Sequence, residues 1–445
     1  MIGMTTLTAA ALTAALTVPA GAAAPDPAFG TAGLVHTDTG LSEQIADAAA
    51  LPDGSVVVTG SAQPIGAQPG TGTRDLLIAK YRPDGTLDPG FGTAGVVTTD
   101  LSGTATDDYG QAVLVQPDGR IVVTGAVRNG WELRMTVTRW LPDGTPDQAF
   151  GTGGRTVTPQ LAAGLGGGAA AALQDDGSIV VAGVDYESGS NYFGVARYLP
   201  DGTLDPAFGT GGTVTTVVGD APGTHHDLPG AVLLQPDGKI LVGGSSGYGY
   251  GRNLYSYDFA VVRYTTAGAL DPTFGTGGKV VTAVGAGSDS VRDLDLRPDG
   301  RILAVGTLSG AYLDADIALA QFTATGGPDP GFGSNGTVLT DLTGDYGGDL
   351  AAGAVLQPDG SVLAGGSSTT RAGQTDPGDT RFLLARYDAS GTLDPAGTVT
   401  PDVDPASAED RAASIIAAPG GRIVLAGSSV TQATGSDMAL AAFAP

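Results

Sequence analysis

The sequence predicts an all-β fold: a seven-bladed β-propeller with four antiparallel strands per blade. Three observations carry this prediction. A mid-repeat turn recurs seven times with a glycine at a fixed distance beyond it. A second peptide, Asp-Pro-x-Phe-Gly, recurs at steps of 58 to 66 residues. The two ends of the chain also begin and stop at complementary points of one repeat. Repetition at such a period means stacked supersecondary units rather than independent domains.

The mid-repeat turn reads Pro52-Asp53-Gly54, Pro117-Asp118-Gly119, Asp175-Asp176-Gly177, Pro236-Asp237-Gly238, Pro298-Asp299-Gly300, Pro358-Asp359-Gly360 and Pro419-Gly420-Gly421. Six residues past each turn glycine stands another: Gly60, Gly125, Gly183, Gly244, Gly306, Gly366 and Gly427. The residues between are mostly β-branched or apolar, as in Ser55-Val56-Val57-Val58-Thr59. They predict a strand of fixed length opened by a turn that tolerates positive φ. In the first repeat, strand A is expected at 46–51, strand B at 55–59, strand C at 76–81 and strand D at 96–99. Strand C ends in an aromatic in every copy (Tyr81, Trp140, Tyr198, Tyr264, Phe322, Tyr387 and Phe443). Rings of that size suit the gap between neighbouring sheets.

Asp-Pro-x-Phe-Gly occupies 26–30, 88–92, 205–209, 271–275 and 329–333. A variant at 147–151 carries Gln148, and a worn copy begins at Leu393-Asp394-Pro395-Ala396. The chain stops just after the last strand C, whereas residues 25–30 hold the peptide that elsewhere leads from strand C to strand D. Residues 33–38 are therefore expected to supply the outer strand of blade seven and close the ring, which removes exposed sheet edges. A linear solenoid is the rival, but it calls for capping repeats that the sequence lacks.

The residues Gln235-Pro236-Asp237-Gly238-Lys239, Arg263-Tyr264 and 270–275 resemble the delta-60 repeat family, and the resemblance runs through the chain beyond residue 24. It implies a propeller-like fold and carries no functional residue with it.

Composition narrows the function. With 73 glycines and 28 prolines among short apolar runs the chain is rich in turns. Its formal charge of −25 opposes binding to nucleic acid or an anionic membrane. The apolar run from Leu7 to Val18, followed by Ala20-Gly21-Ala22 and Ala22-Ala23-Ala24, reads as a signal peptide over 1–24. The expectation is a secreted, extracellular, monomeric propeller over 25–445, without membrane insertion. Cysteine is absent, so no disulfide or thiolate metal site arises.

Connections between strands A and B and between C and D are nearly uniform in length. From the strand-B glycine to the strand-C aromatic, the intervals run 21, 15, 15, 20, 16, 21 and 16 residues. Variable loops on a rigid scaffold are where recognition usually sits. The face carrying the B–C and D–A connections is therefore the candidate binding face. The fourth B–C loop offers Tyr248, Tyr250, Arg252, Tyr255 and Tyr257, and Trp131 and Tyr186 occupy neighbouring loops. Such Tyr, Ser and Gly mixtures suit a glycan or a protein ligand.

Eleven residues before each turn glycine stand Glu43, Asp108, Gly166, Asp227, Asp289, Asp349 and Asp410. These carboxylates either form an acidic ring at the channel mouth that attracts a cation such as calcium, or accept structural hydrogen bonds. Pairing with the bases near the end of strand C (Lys80, Arg139, Arg197, Arg263 and Arg386) is the other structural option. Asp293 and Asp295, two apart on an inner strand, face one side and read as a carboxylate pair. His225-His226-Asp227 is the one cluster of imidazoles, but adjacent strand residues point to opposite faces. No nucleophile elbow, calcium loop or phosphate-binding loop occurs. The sequence thus favours a non-enzymatic binding or scaffolding protein without a cofactor, and the alternative is a cation-dependent hydrolase or lyase.

Overall fold

A computed structural model describes residues 24–67, 74–103, 106–129, 132–158, 170–219, 223–250, 253–254, 256–310, 315–344, 347–371, 373, 376, 378–431 and 434–444. Among them every regular element is a β-strand, and no helix is long and apolar enough to cross a membrane. Strand β1 (Leu34–Thr37) precedes a series of four-stranded antiparallel groups. The first is β2 (Ser42–Ala50), β3 (Val56–Gln63), β4 (Asp75–Tyr81) and β5 (Val96–Thr99). The second is β6 (Asp108–Val115), β7 (Ile121–Asn129), β8 (Glu132–Trp140) and β9 (Arg155–Thr158). The third is β10 (Ala170–Leu173), β11 (Ile179–Glu187), β12 (Ser190–Tyr198) and β13 (Thr213–Thr216).

In the fourth, β14 (Thr224–Leu234) and β15 (Ile240–Tyr250) are followed by the short β16 (Asn253–Leu254), then β17 (Asp258–Tyr264) and β18 (Lys279–Thr282). The fifth is β19 (Ser288–Leu296), β20 (Ile302–Ser309), β21 (Ala315–Phe322) and β22 (Thr337–Thr340). The sixth is β23 (Gly348–Leu356), β24 (Val362–Thr370), β25 (Asp379–Tyr387) and β26 (Leu393–Val399). The last comprises β27 (Glu409–Ala417), β28 (Ile423–Thr431) and β29 (Gly435–Phe443). Strand β1 lies antiparallel on β29, with Leu34 opposite Ala441 and Thr37 opposite Met438.

Apolar cores sit between groups rather than within them. Val57, Leu76 and Ile78 of the first group pack with Val113, Ile121 and Trp140 of the second. Val58, Leu77 and Ala79, from the same strands but the opposite face, pack with Val424, Ala426 and Leu440 of the last. This explains the continuous apolar runs of the second and third strands, which are buried on both faces. The strand-C aromatics are buried as well. Tyr264 Oη donates to Thr216 Oγ1 of the preceding group at 2.8 Å, so the hydroxyl is satisfied where the ring is enclosed.

A polar clamp recurs on the side of the Asp-Gly turns. Arg263 Nε donates to Asp271 Oδ2 at 2.9 Å, its Nη1 reaches the Ala324 carbonyl of the next group at 2.6 Å, and the guanidinium lies 4.6 Å over the Phe274 ring. Arg139 makes the same contacts with Asp147, Pro200 O and Phe150, and Arg197 with Asp205, Thr266 O and Phe208. The arginine, aspartate and phenylalanine of the repeat are thus one device that joins a blade-like group to its successor. The bases near the end of strand C pair with this aspartate, not with the carboxylates at the start of strand A. In the last group Ala442 replaces the arginine, and Arg422, the residue just before β28, takes over. It donates to Asp26 Oδ2 at 2.7 Å and to Pro83 O at 2.6 Å, and lies 5.4 Å over Phe29. His36 Nε2 stands 3.0 Å from Asp437 Oδ2, and Asp26 N–H donates to Ala442 O at 2.8 Å.

The glycine six residues beyond each turn does not end its strand. Strand β3 runs on through Gly60 to Gln63, and β20 through Gly306 to Ser309. The innermost strand carries a β-bulge opposite this glycine, between Ile45 and Asp47 in β2 and between Val291 and Asp293 in β19. The bulge presses a carbonyl against the glycine. A Cβ at Gly60 would meet Gln44 O, at Gly125 Tyr109 O, at Gly306 Ser290 O and at Gly366 Leu350 O. Only a residue without a side chain permits the bulge. Replacing Gly306 by alanine is expected to destabilise the protein by about 3 kcal/mol, read as a lowered urea midpoint, because backbone atoms must move. An alanine at Gly277, which has open space, is expected to cost about 1 kcal/mol from its positive φ alone.

Candidate functional site

The six acidic residues at the start of the innermost strands are latches for the segments that lead into them. Asp108 Oδ2 accepts the N–H groups of Leu101 and Ser102 at 2.6 and 3.1 Å. Asp227 Oδ2 accepts from Val218 N at 2.8 Å and its Oδ1 from Ser246 Oγ at 2.7 Å. Asp289 accepts from Val284 N, Asp349 from Leu342 N and Ser368 Oγ, and Asp410 from Val403 N. Glu43 accepts from Thr39 Oγ1. Their exposures lie between 0% and 2%, so they present no open acidic mouth. Gly166, the position without a carboxylate, lies outside the described residues. Burial raises the Glu43 carboxyl to about 7 and that of Asp108 to about 6, the backbone hydrogen bonds opposing it for Asp108. Burial also raises Asp227, Asp289 and Asp349.

Charge gathers instead in a central cavity of about 300 Å³, lined by the innermost strand of every group. Asp47 of β2, Gln111 of β6, Ala171 of β10 and Gly230 of β14 line one arc. Arg292 and Asp293 of β19, Gly353 of β23 and Ser414 of β27 line the other. Asp47 joins two neighbours of its own group: Val113 N donates to Oδ2 and Ser414 Oγ to Oδ1, both at 2.9 Å. Asp293 Oδ2 accepts from Ala354 N at 2.9 Å. Burial pushes the Asp47 carboxyl up to about 6. It pushes Asp293 up too, with the Asp295 charge adding to the rise, and raises Asp295 itself. The Asp293–Asp295 pair was legible from its two-residue spacing. Asp47 was hidden, because the bulge moves it one place out of the alternating register.

The loop face carries an aromatic shelf, the β11–β12 hairpin, where the third and fourth groups meet, with Tyr186 on one face of it and Tyr192 on the other. Strands β11 and β12 are joined by Ser188-Gly189, both at positive φ, a two-residue turn that matches strand twist. Tyr186, just before it, is 64% exposed. Tyr192 on β12 approaches His225 on β14, ring centroids 5.9 Å apart and planes tilted by 43°. A parallel bridge between Asn191 and His226 fixes the two groups together there. His225 also pairs with Tyr248 in the β14–β15 register. Tyr257 is partly buried, its N–H donating to Ser288 Oγ at 3.3 Å, and its ring packs on Gly247. The side chains of Tyr248 and Tyr250, and the whole of Trp131, Arg252 and Tyr255, lie outside the described residues. The Tyr192–His225 pair was not read from the sequence, because it joins different repeats. His225, His226 and Asp227 do not form a metal site. Among the described residues no three histidine, aspartate or glutamate side chains gather so as to hold a metal ion.

Residues 51–91, 116–150, 174–208, 235–274 and 357–396 match a family described as a domain of unknown function (DUF5122) beta-propeller. These are β-propeller repeats. Each matched stretch starts at or just before a mid-repeat turn and ends at the Phe-Gly anchor or its equivalent, so it covers strands B and C of a blade. No curated protein matches the chain. Among solved structures, a PL25 ulvan lyase superposes with a TM-score of 0.54 at 11% identity, over 91% of this chain and 95% of that one. The polysaccharide lyase Uly1 gives 0.47 at 12% identity, over 94% and 91%. An α-L-arabinanase from Penicillium chrysogenum gives 0.46 at 9% identity, over 95% and 97%. At these identities the likeness concerns the propeller-like fold.

The raised carboxyls set a pH dependence of stability. A group whose folded pKa exceeds its unfolded value stabilises the protein below the unfolded pKa, near 4, and that stability is lost as pH rises through the folded value. For Asp47, Asp108 and Glu43 the loss falls between about pH 4 and 7. Urea midpoints are expected to fall from pH 5 to pH 8. Asp47→Asn should remove about 1 to 2 kcal/mol of that decline, and an unchanged slope in this variant would contradict the assignment.

Proposed function

We propose that this chain is an exported, non-enzymatic binding propeller of seven delta-60-type blades, closed by β1 on β29, that takes a glycan across its B–C and D–A loop face. The observation that carries the proposal is the exposed Tyr186 on the β11–β12 hairpin, which the Tyr192–His225 contact and the Asn191–His226 bridge anchor at the junction of blades three and four. Rings held on tight hairpins offer flat apolar area at low entropic cost, which suits stacking on sugar rings. Closure is supported by the core that the first and last groups share and by the Arg422 clamp onto Asp26 and Pro83.

A binding role is favoured over the cation-dependent hydrolase or lyase because the acidic residues that would hold the metal are buried, five of them accepting loop N–H groups and Glu43 a threonine hydroxyl. The matched ulvan lyase has also been solved bound to -[GlcA(1-4)Rha3S]-, with a TM-score of 0.53 to this chain. That supports a saccharide chain as a ligand compatible with a scaffold of this shape.

The test is a glycan array with the wild type and with Tyr186→Ala/Tyr192→Ala. The double variant is expected to lose its hits at least tenfold in affinity while keeping the wild-type melting midpoint within a few degrees. Undiminished hits in a folded double variant would remove the shelf from the binding site.

A further inference from the structure

In this acidic chain three basic side chains meet on the same face. In blade two, Arg128 at the end of β7, Arg134 on β8 and Arg155 at the start of β9 surround a cavity of about 270 Å³. Leu101, Val127 and Val157 complete its walls. Three of the chain's 21 basic residues therefore converge on one opening in a protein of charge −25.

Two of these arginines are held in place. Arg155 donates through Nη1 to the Leu101 carbonyl, and the Arg128 carbonyl accepts Thr106 Oγ1 at 3.0 Å while its N–H donates to Asp107 O at 3.1 Å. Arg128 Nε is buried and makes no hydrogen bond, and Asp107 Oδ2 stands 3.6 Å from it. Three acids stand behind the cavity wall: Asp107 forms an ion pair with Arg128, and the other two hold backbone N–H groups. Asp108 accepts from Leu101 and Ser102 N–H, and Asp100 Oδ1 accepts from Ser102 Oγ and Gly103 N–H at 2.8 and 2.6 Å.

The equivalent groove of blade four shows that the fold does not require this chemistry. By strand register, Ser246 stands there for Val127, Asp258 for Arg134 and Lys279 for Arg155. The arginines are thus a feature of blade two alone among these two grooves. Guanidinium groups around a small cavity suit a planar carboxylate or a sulfate, through paired N–H donors.

We infer that the blade-two cavity is a subsite for the anionic group of an acidic polysaccharide, a uronate carboxylate or a sulfate ester, whose neighbouring sugars reach the blade-three shelf. The inference rests on the glycan reading above and adds the charge class of the ligand. A sparsely charged saccharide fits better than nucleic acid, because the surrounding field repels a dense polyanion while the cavity attracts an isolated charge.

The experiment measures binding of the full secreted protein to a largely methyl-esterified polygalacturonate, a lightly sulfated dextran and neutral dextran at 50 and 300 mM salt. The variants are Arg128→Gln/Arg134→Gln and, as a control on the opposite face of the same blade, Arg120→Gln. The expected result is wild-type binding to one or both anionic polymers, weakened at least tenfold by the double variant, unchanged by Arg120→Gln and reduced at high salt. Which polymer responds separates carboxylate from sulfate. If the folded double variant keeps its affinity for the anionic polymers, or if the wild type prefers neutral dextran, the subsite is overturned and the glycan reading stands. If the wild type binds none of the three, both are overturned. A matching melting midpoint identifies a folded double variant, and Arg134→Glu, expected to weaken binding further, serves as the second variant if the first unfolds.

Discussion

Everything in this molecule depends on how one four-stranded sheet is fixed to the next. The apolar cores between sheets supply most of the favourable burial, but apolar faces alone do not set an angle. The guanidinium clamp does. One arginine binds the aspartate of its own blade, lies over the phenylalanine of the same peptide and reaches a carbonyl of the next blade's turn. With three directional contacts from one planar group, the sheets have little freedom to slide. On the opposite face, buried carboxylates hold the segments that lead into six of the innermost strands. The two sets of polar contacts bracket the apolar layer and leave only the hairpins of the loop face free to vary.

This division explains how much was legible beforehand. The Asp-Gly turns, the strand-C aromatics and the Asp-Pro-x-Phe-Gly peptide announce their roles because turn chemistry and large rings act locally. The glycine after strand B was legible as a landmark but not as a cause. Its reason is a bulge in the preceding strand, and a bulge leaves no composition signature of its own. Arg422 could not be matched to its function either, since it replaces Ala442 from a different strand and only the folded geometry brings both positions to Asp26. The acidic residues were found at the right places with two open roles. The choice between them turned on loop N–H groups, which no pattern of side chains reveals.

The functional reading follows from the same frame. A scaffold whose turn face is tied down by clamps and whose central cavity is lined by Asp47, Arg292 and Asp293 leaves the hairpins of blades two to four as its most variable surface. There the exposed tyrosine, the tyrosine–histidine pair and the arginine cavity lie on neighbouring blades. Stacking area and isolated positive charge together describe recognition of a chain with flat rings and spaced anions.

The central claim is that β1 is a structural strand of the last blade, held as firmly as the strands inside it. Native-state hydrogen exchange measures this directly. The account predicts that the amides of Leu34–Thr37 that bond to β29 open only with global unfolding, at the same free energy as those of β28. If they exchanged orders of magnitude faster than β28 while the rest of the protein stayed protected, the strand would be an appendage and the closed ring would be contradicted.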